Sequence, residues 1–447
     1  MRRFAIVRSL PIPFNYLLIG SLLSFSLIAL GQIFNQYDFY GYLTSQTGIF
    51  DDLIIPTINV VTYQTQILTP VILAIPDFNS PFSPITFFFY FLAGKVFEIY
   101  DLLFKIQSES ELNSIAFFLV LSYVILYMST LRLLVREVFG TKFTSVYTLI
   151  TVLSPYLLFA VSRGNIVILL VSVFNLSLIL ILRGKEKSAT TLLALLACFQ
   201  FPYLIFSLLI LALKRPLKCF LIYFAVIALA WLTPLALIGP GLSANFNAFL
   251  VLNDRWYQTY VLGHEGILHG ISLLGVQKTI LFMLNFEIGS IYSLYFIQVL
   301  TLLIAVCYFV RRNIIHIFIK AQKQNHSLLP IITLIATIML LIFPQVSAAY
   351  KMLFFTSALL FLGRPRIELL ISSFLGKLLL VGSVMLFATP HWNLKEYEPG
   401  ITADSILKPI FLLGFLILTI SLMRNSKFLL GLPIESRNLA GKKSLKD

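Results

Sequence analysis

Three carboxylates, Asp38, Asp51 and Asp52, stand in "FNQYDFYGYLTSQTGIFDD" (34–52), immediately after an apolar run in a chain that carries few charges elsewhere. A carboxylate held at a membrane interface and partly desolvated can be tuned as a general base, and Asp38 is the acid nearest the apolar run. The adjacent pair Asp51/Asp52 offers the oxygen ligands a divalent cation prefers. The bland alternative is that all three merely decorate a polar loop. Lys351 stands between "SAAY" and "MLFF", where a charge inside apolar sequence is costly and usually functional. His264, Glu265 and His269 bracket "EGIL". Their types suit a metal, but a five-residue separation does not align two histidines on one helix face. A substrate hydrogen bond from His264 is expected instead, with neither metal nor cofactor.

The elements that position these groups follow from composition. The chain has 447 residues, is 59% hydrophobic and 12% charged, with mean hydropathy +0.92. Charge in a soluble domain is about a quarter of residues. Apolar runs long enough to cross a bilayer recur throughout. The expected fold is all-α, a single polytopic transmembrane helix bundle over 1–447 with roughly 11 to 13 membrane segments, re-entrant half-helices included. A closed barrel would need short alternating segments, which are absent. The net charge of +14 falls in short Lys/Arg clusters between apolar runs. That is the positive-inside pattern and excludes a nucleic-acid role. Cys198, Cys219 and Cys307 lie in or beside apolar segments, as small core residues do. The first apolar run, roughly Phe14 to Phe34, is too long for a signal-peptide core and is expected to remain as a span.

The basic clusters "RLLVREVFGTK", "RGKEK", "KRPLK", "RRNIIHIFIKAQK" and "GRPR" are expected on the cytoplasmic side with both termini. Spans are expected at roughly 113–133, 145–161, 165–182, 217–238, 288–309, 328–346, 350–362, 368–388 and 406–423. One stretch, 188–213, separates two basic loops and contains "CFQFPYL". Pro202 interrupts the helix and disfavours helix at Phe201. Two half-helices that dip in and return would keep both loops on one side. The region 35–112 must cross an even number of times, by re-entry of 83–103 or by a crossing at 54–75. The outer face then carries loops 35–82, 239–287 and 389–405 and the short turn "SRGN".

In order along the chain, "YDFYGYLTSQTGIFDD", "FNSPFSPITFFFYFLAGKVF", "SRGN", "CFQFPYL" between two basic loops, "GHEGILHGISLLG" and "FPQVSAAYKMLFF" together resemble the GT-C superfamily of membrane glycosyltransferases. They look most like family 87, the polyprenyl-phosphate-mannose-dependent mannosyltransferases. "SPFSP" stands where that family has Tyr-Pro-Pro, "RGN" where it has Gly-Gln-x-Asn, and "FQFPY" lacks its Lys before proline. The resemblance implies a hexosyltransferase, most simply for mannose. It would move the sugar from a polyprenyl-phosphate donor to a hydroxyl of a glycolipid or glycan acceptor, with inversion, at the outer face of a bacterial inner (plasma) membrane. Asp38 matches the base. The leaving lipid phosphate needs cations rather than an acid, and Lys351, Arg163 and Arg255 are the candidates. Arg163 could equally snorkel at the interface. His264, Tyr350, Tyr42 and His391 are the expected substrate contacts, although an aromatic anchor is the commoner explanation of "TPHWN". The rival class is a flippase, transporter or polymerase of lipid-linked glycans. A flippase should carry several ionisable groups inside its spans.

Overall fold

Prolines and glycines set most of the helix boundaries. The computed structural model describes residues 84–104, 109–140, 144–152, 154–237, 242–256, 328–344, 351–361, 373–379 and 403–422, with a few single positions between them. Among the described residues every regular element is helical. The order is α1 (Pro84–Phe104), α2 (Glu109–Phe139), α3 (Thr144–Val152), α4 (Pro155–Ser162), α5 (Val167–Leu182), α6 (Glu186–Phe199), a 3-10 helix η1 (Phe201–Ala212) and α7 (Pro216–Leu237). Then follow α8 (Leu242–Trp256), α9 (Leu329–Ile342), α10 (Met352–Leu359) and α11 (Ala403–Leu422). Pro84, Pro155 and Pro216 occupy first helical positions, where a missing N–H costs nothing. Three helices stop on left-handed glycines, Gly140 at φ 76°, Gly164 at φ 65° and Gly184 at φ 72°. At the last two stops the following amide reaches back five residues, Asn165 N–H to the Ala160 carbonyl at 2.9 Å and Lys185 N–H to the Leu180 carbonyl at 2.8 Å. These bonds satisfy carbonyls a helix end leaves bare.

Among the described residues two helices, Asn113–Phe139 and Pro216–Ala236, are long and apolar enough to cross a membrane. Each is apolar on both sides. On α2, Ala116, Val120, Tyr123, Tyr127, Leu131 and Leu134 are buried at three- and four-residue spacing, while Phe118 (65%) and Ile125 (58%) are exposed on the other side. On α7, Leu217, Leu221, Phe224, Leu229 and Leu232 are exposed. A helix apolar all round belongs in a core or a membrane, and an exposed apolar surface of this extent marks an interaction with something apolar. Helix α9 is the centre of the assembly. Every residue from Leu329 to Ile342 except Met339 is buried, against η1, α10 and α11. The expected span 145–161 is instead two short helices, because Pro155 restarts the chain after Ser154. The expected spans 288–309 and most of 368–388 lie outside the described residues, as does the region 35–83 apart from two positions.

The chain reverses between α6 and η1. The Glu186 carboxylate, on the first residue of α6, accepts a hydrogen bond at 2.9 Å from the backbone N–H of Lys214, just past η1. The arms match in length. The 14 residues of α6 make about 21 Å at 1.5 Å each, and the 12 residues of η1 about 24 Å at 2.0 Å each. Both are shorter than the roughly 30 Å hydrocarbon thickness. The break falls at Gln200, extended at φ −148°, ψ 138°, one residue before the expected position. Phe201 already begins the 3-10 helix, where Pro202 sits in the first turn and needs no N–H donor.

The reversal gathers charge at one end. Arg183, ending α5, pairs with Glu137 near the end of α2, Nε to Oε1 at 3.0 Å. Arg132, Arg136, Lys185, Lys187, Lys214, Arg215 and Lys218 are exposed on the same ends of these helices. Single cysteines introduced at Lys187 and Lys214 should therefore react with an impermeant maleimide from one side of the membrane. With Cys307 changed to Ser, the remaining Cys198 and Cys219 are buried and give little background. Labelling of the two positions from opposite sides would contradict the hairpin.

Candidate functional site

Ending a helix inside an apolar assembly leaves backbone groups that need partners. At the hairpin tip, the Thr86 hydroxyl from the first turn of α1 donates to the Phe199 carbonyl at 2.8 Å. The Phe89 ring meets the Phe199 ring edge-on, centroids 6.2 Å apart. Tyr203 N–H then closes the first turn of η1 on the Gln200 carbonyl at 3.0 Å. The tip is thus bonded to α1 and fixed, and the first side chains of η1 point into a set aromatic cluster. Phe174 and Phe206 lie 4.5 Å apart between centroids, Phe206 and Phe354 5.3 Å, and Tyr203 and Phe354 5.3 Å. All four are fully buried. The cluster joins α5, η1 and α10.

Lys351 enters this cluster. It is the residue before α10 and is 6% exposed. Its ammonium stands 5.9 Å from the centroid of the Tyr203 ring. A desolvated cation–π contact is worth about 2 kcal/mol, whereas desolvating an ammonium costs several kcal/mol even after relaxation. The tyrosine face therefore offsets only part of the cost of a buried charge. A second lysine, Lys408 of α11, has no exposed surface and stands 5.1 Å from the centroid of Tyr156, on α4. Among the described residues the buried charged side chains are these two lysines, and no carboxylate is buried.

Polar groups accompany the cations. Asn175, next to Phe174 on α5, is fully buried, and neither atom of its amide meets a hydrogen-bond partner among the described residues. The Ser357 hydroxyl on α10 is in the same condition. Tyr147 of α3 donates to the Thr356 carbonyl at 2.9 Å and ties α10 to the opposite wall.

Of the residues expected from sequence, the structure places two in full. Lys351 is in the cluster. Arg163 is half-buried in the turn after α4, and its neighbours explain its position. Gly164 supplies the left-handed stop, and the buried Asn165 side chain accepts from the Val167 N–H at 2.9 Å, starting α5. "SRGN" is thus a helix-to-helix joint, with Arg163 presented beside it. Arg255 lies in the last turn of α8. Asp38, Tyr42, Tyr350, His264 and His391 lie outside the described residues, as do the rival acids Asp51 and Asp52. Sequence reasoning passed over Lys408, Tyr156, Tyr203 and Asn175. Lys408 precedes Pro409 in "SILKPIFLLGF", which looks like the edge of a span. Among the described residues no group of three or more His, Cys, Asp or Glu is placed to hold a metal.

Two substitutions separate packing from polar cost at this site. Phe174→Ala should lower stability in detergent by about 3 to 5 kcal/mol. Asn175→Leu should leave it unchanged or raise it by about 1 to 3 kcal/mol, because the buried amide is removed. A loss with Asn175→Leu as large as that with Phe174→Ala would mean the amide is bonded in the folded protein. Comparison with protein-family models, with curated proteins and with solved structures finds no match to this chain.

Proposed function

We propose that this chain is a multi-pass membrane enzyme of the GT-C type. It transfers a hexose from a polyprenyl-phosphate sugar to a hydroxyl of a glycolipid or glycan acceptor. One observation carries the reading. Lys351 is buried beside a fixed hairpin tip, in an interior with no buried carboxylate among the described residues. A phosphate group bound there would supply the missing counter-charge, and apolar walls would strengthen the attraction. The lipid tail of such a donor would lie against the exposed apolar sides of the long helices. The hairpin, with arms shorter than a bilayer core, would be re-entrant and surrounded by protein, where a broken backbone is tolerated. The gathering of Arg183, Lys185, Lys187, Lys214, Arg215 and Lys218 at one end supports a cytoplasmic location for that end under the positive-inside bias. Lys351 would then open toward the outer face of the inner membrane. In this scheme Asp38 takes the acceptor's proton as its oxygen attacks the anomeric carbon. Lys351 holds the phosphate, and Arg163 and Arg255 are secondary contacts. His264, Tyr42, Tyr350 and His391 contact sugar or acceptor.

A flippase or transporter for lipid-linked glycans draws some support from the same two buried lysines. A translocation route through a bilayer commonly pairs such cations with acids along its length. A buried Lys351, with no acid buried among the described residues, suits a fixed anion site better.

The test is sugar transfer in isolated membranes with a panel of radiolabelled polyprenyl-phosphate sugars. Asp38→Asn should reduce transfer by about 100- to 10,000-fold, the usual contribution of a general base, at unchanged protein level. The double variant Asp51→Asn/Asp52→Asn should retain it. Full activity in Asp38→Asn would remove that residue from the mechanism. Absence of transfer by the wild type from every donor would move the flippase reading ahead.

A further inference from the structure

The open end of the hairpin holds more cations than its acids use. Glu137 is paired with Arg183, and Glu186 accepts from the Lys214 backbone amide. Lys187, Lys214, Arg215 and Lys218 are exposed, and no ion pair engages them among the described residues. The Glu186 bond holds the chain at Lys187 beside the chain at Lys214. The Cys219 N–H bonds to the Arg215 carbonyl at 3.1 Å, so the first turn of α7 is already formed there. Residues three and four apart on such a turn are neighbours, which sets Lys214 and Lys218 next to Leu217 and Leu221. Leu217 is 76% exposed, and the exposed stripe continues along α7 through Leu221, Phe224 and Leu232. From Leu217 to Leu232 is about 22 Å at 1.5 Å per residue, most of a hydrocarbon core of roughly 30 Å. Long basic side chains at the head of an apolar stripe carry their charge to the level of lipid headgroups.

We propose that this patch binds an anionic phospholipid of the bilayer. Lys214 and Lys218 meet the phosphate, Lys187 and Arg215 add to the local positive field, and an acyl chain lies along Leu217, Leu221 and Phe224. The inference rests on the multi-pass reading above and is independent of the sugar donor. Two features of one helix carry it together. Charge alone would suit any soluble anion, and an exposed apolar stripe alone would suit any lipid tail. Joined end to end, they fit a molecule with a negative head and an apolar tail. Each basic residue near an anionic headgroup contributes about fivefold in affinity. An acidic protein segment would meet the same lysines but would leave the long stripe below them uncovered, so the lipid is the better fit.

The experiment counts lipid bound to the full chain in neutral detergent by native mass spectrometry. The probes are phosphatidylglycerol (anionic) and phosphatidylcholine (zwitterionic) with identical acyl chains. At low salt the wild type should bind phosphatidylglycerol about tenfold or more tightly, and the preference should shrink as salt is raised. Lys214→Gln/Lys218→Gln should lose most of the preference and bind phosphatidylcholine as before, whereas Lys214→Arg/Lys218→Arg should keep it. Arg132→Gln/Arg136→Gln removes the same charge from the same end, at α2, and should leave the preference nearly intact. Equal loss in the two glutamine pairs would mean a general attraction to the basic end and would overturn the site. A wild type without the preference overturns it with no variant needed. Glycerol phosphate that competes as well as the lipid, or displacement of the lipid by a Glu-rich peptide, overturns the assignment to a phospholipid. A wild type that binds neither lipid counts against the multi-pass reading as well.

Discussion

A backbone break inside an apolar interior survives only if the groups it frees are bonded, and the rest of this structure is arranged around one such break. At Gln200 the chain leaves α6 and turns back as η1. The Thr86 hydroxyl takes up the Phe199 carbonyl and the Gln200 carbonyl takes up the Tyr203 N–H. At the open end, Glu186 accepts from the Lys214 amide. With both ends tied, the hairpin acts as a wedge. Its η1 arm packs on α9, and its tip presents Tyr203 and Phe206 to α5 and α10.

The wedge also sorts charge. Because the chain returns to its starting end, two basic loops meet there with the ends of α2 and α5, and the Arg183–Glu137 pair fixes those ends together. At the far end of the hairpin Lys351 is buried beside Tyr203, and no carboxylate is buried among the described residues. A cation kept in such surroundings is not explained by stability, since an apolar residue of similar size would cost less. In the proposed function it is kept to hold an anion. The Tyr203 face stands 5.9 Å from the Lys351 ammonium and offsets only part of its burial cost; in the proposed function an entering phosphate would meet a cation already held in position. In that proposal, preorganised charge of this kind would need no rearrangement as the sugar is transferred.

Much of this arrangement was legible in the sequence. Two basic loops separated by a single apolar stretch with a central proline require either a misplaced loop or a reversal, and the reversal is what the chain makes. Lys351 was legible because nothing apolar nearby excuses a charge between "SAAY" and "MLFF". Lys408 was not, since a lysine before a proline at the start of an apolar run has the form of a span edge, and only packing shows it fully buried. The split of 145–161 into two helices followed from Pro155, but its consequence, placing Tyr156 against Lys408, depends on contacts distant in sequence. The 3-10 form of η1 has no signature in composition. The opening acids, central to the chemistry read from sequence, lie outside the described residues, so the base and the phosphate site join only in the proposed function.

The central claim is that the lysine at the hairpin tip holds a lipid phosphate, and native mass spectrometry tests it most directly. Protein extracted gently from its own membranes should carry a polyprenyl phosphate or polyprenyl-phosphate sugar as a resolved mass increment. Lys351→Met, equally well folded by size-exclusion profile and thermal transition, should lose it. An increment of that class retained undiminished in Lys351→Met, or none in the wild type under conditions that preserve other bound lipids, would contradict the account.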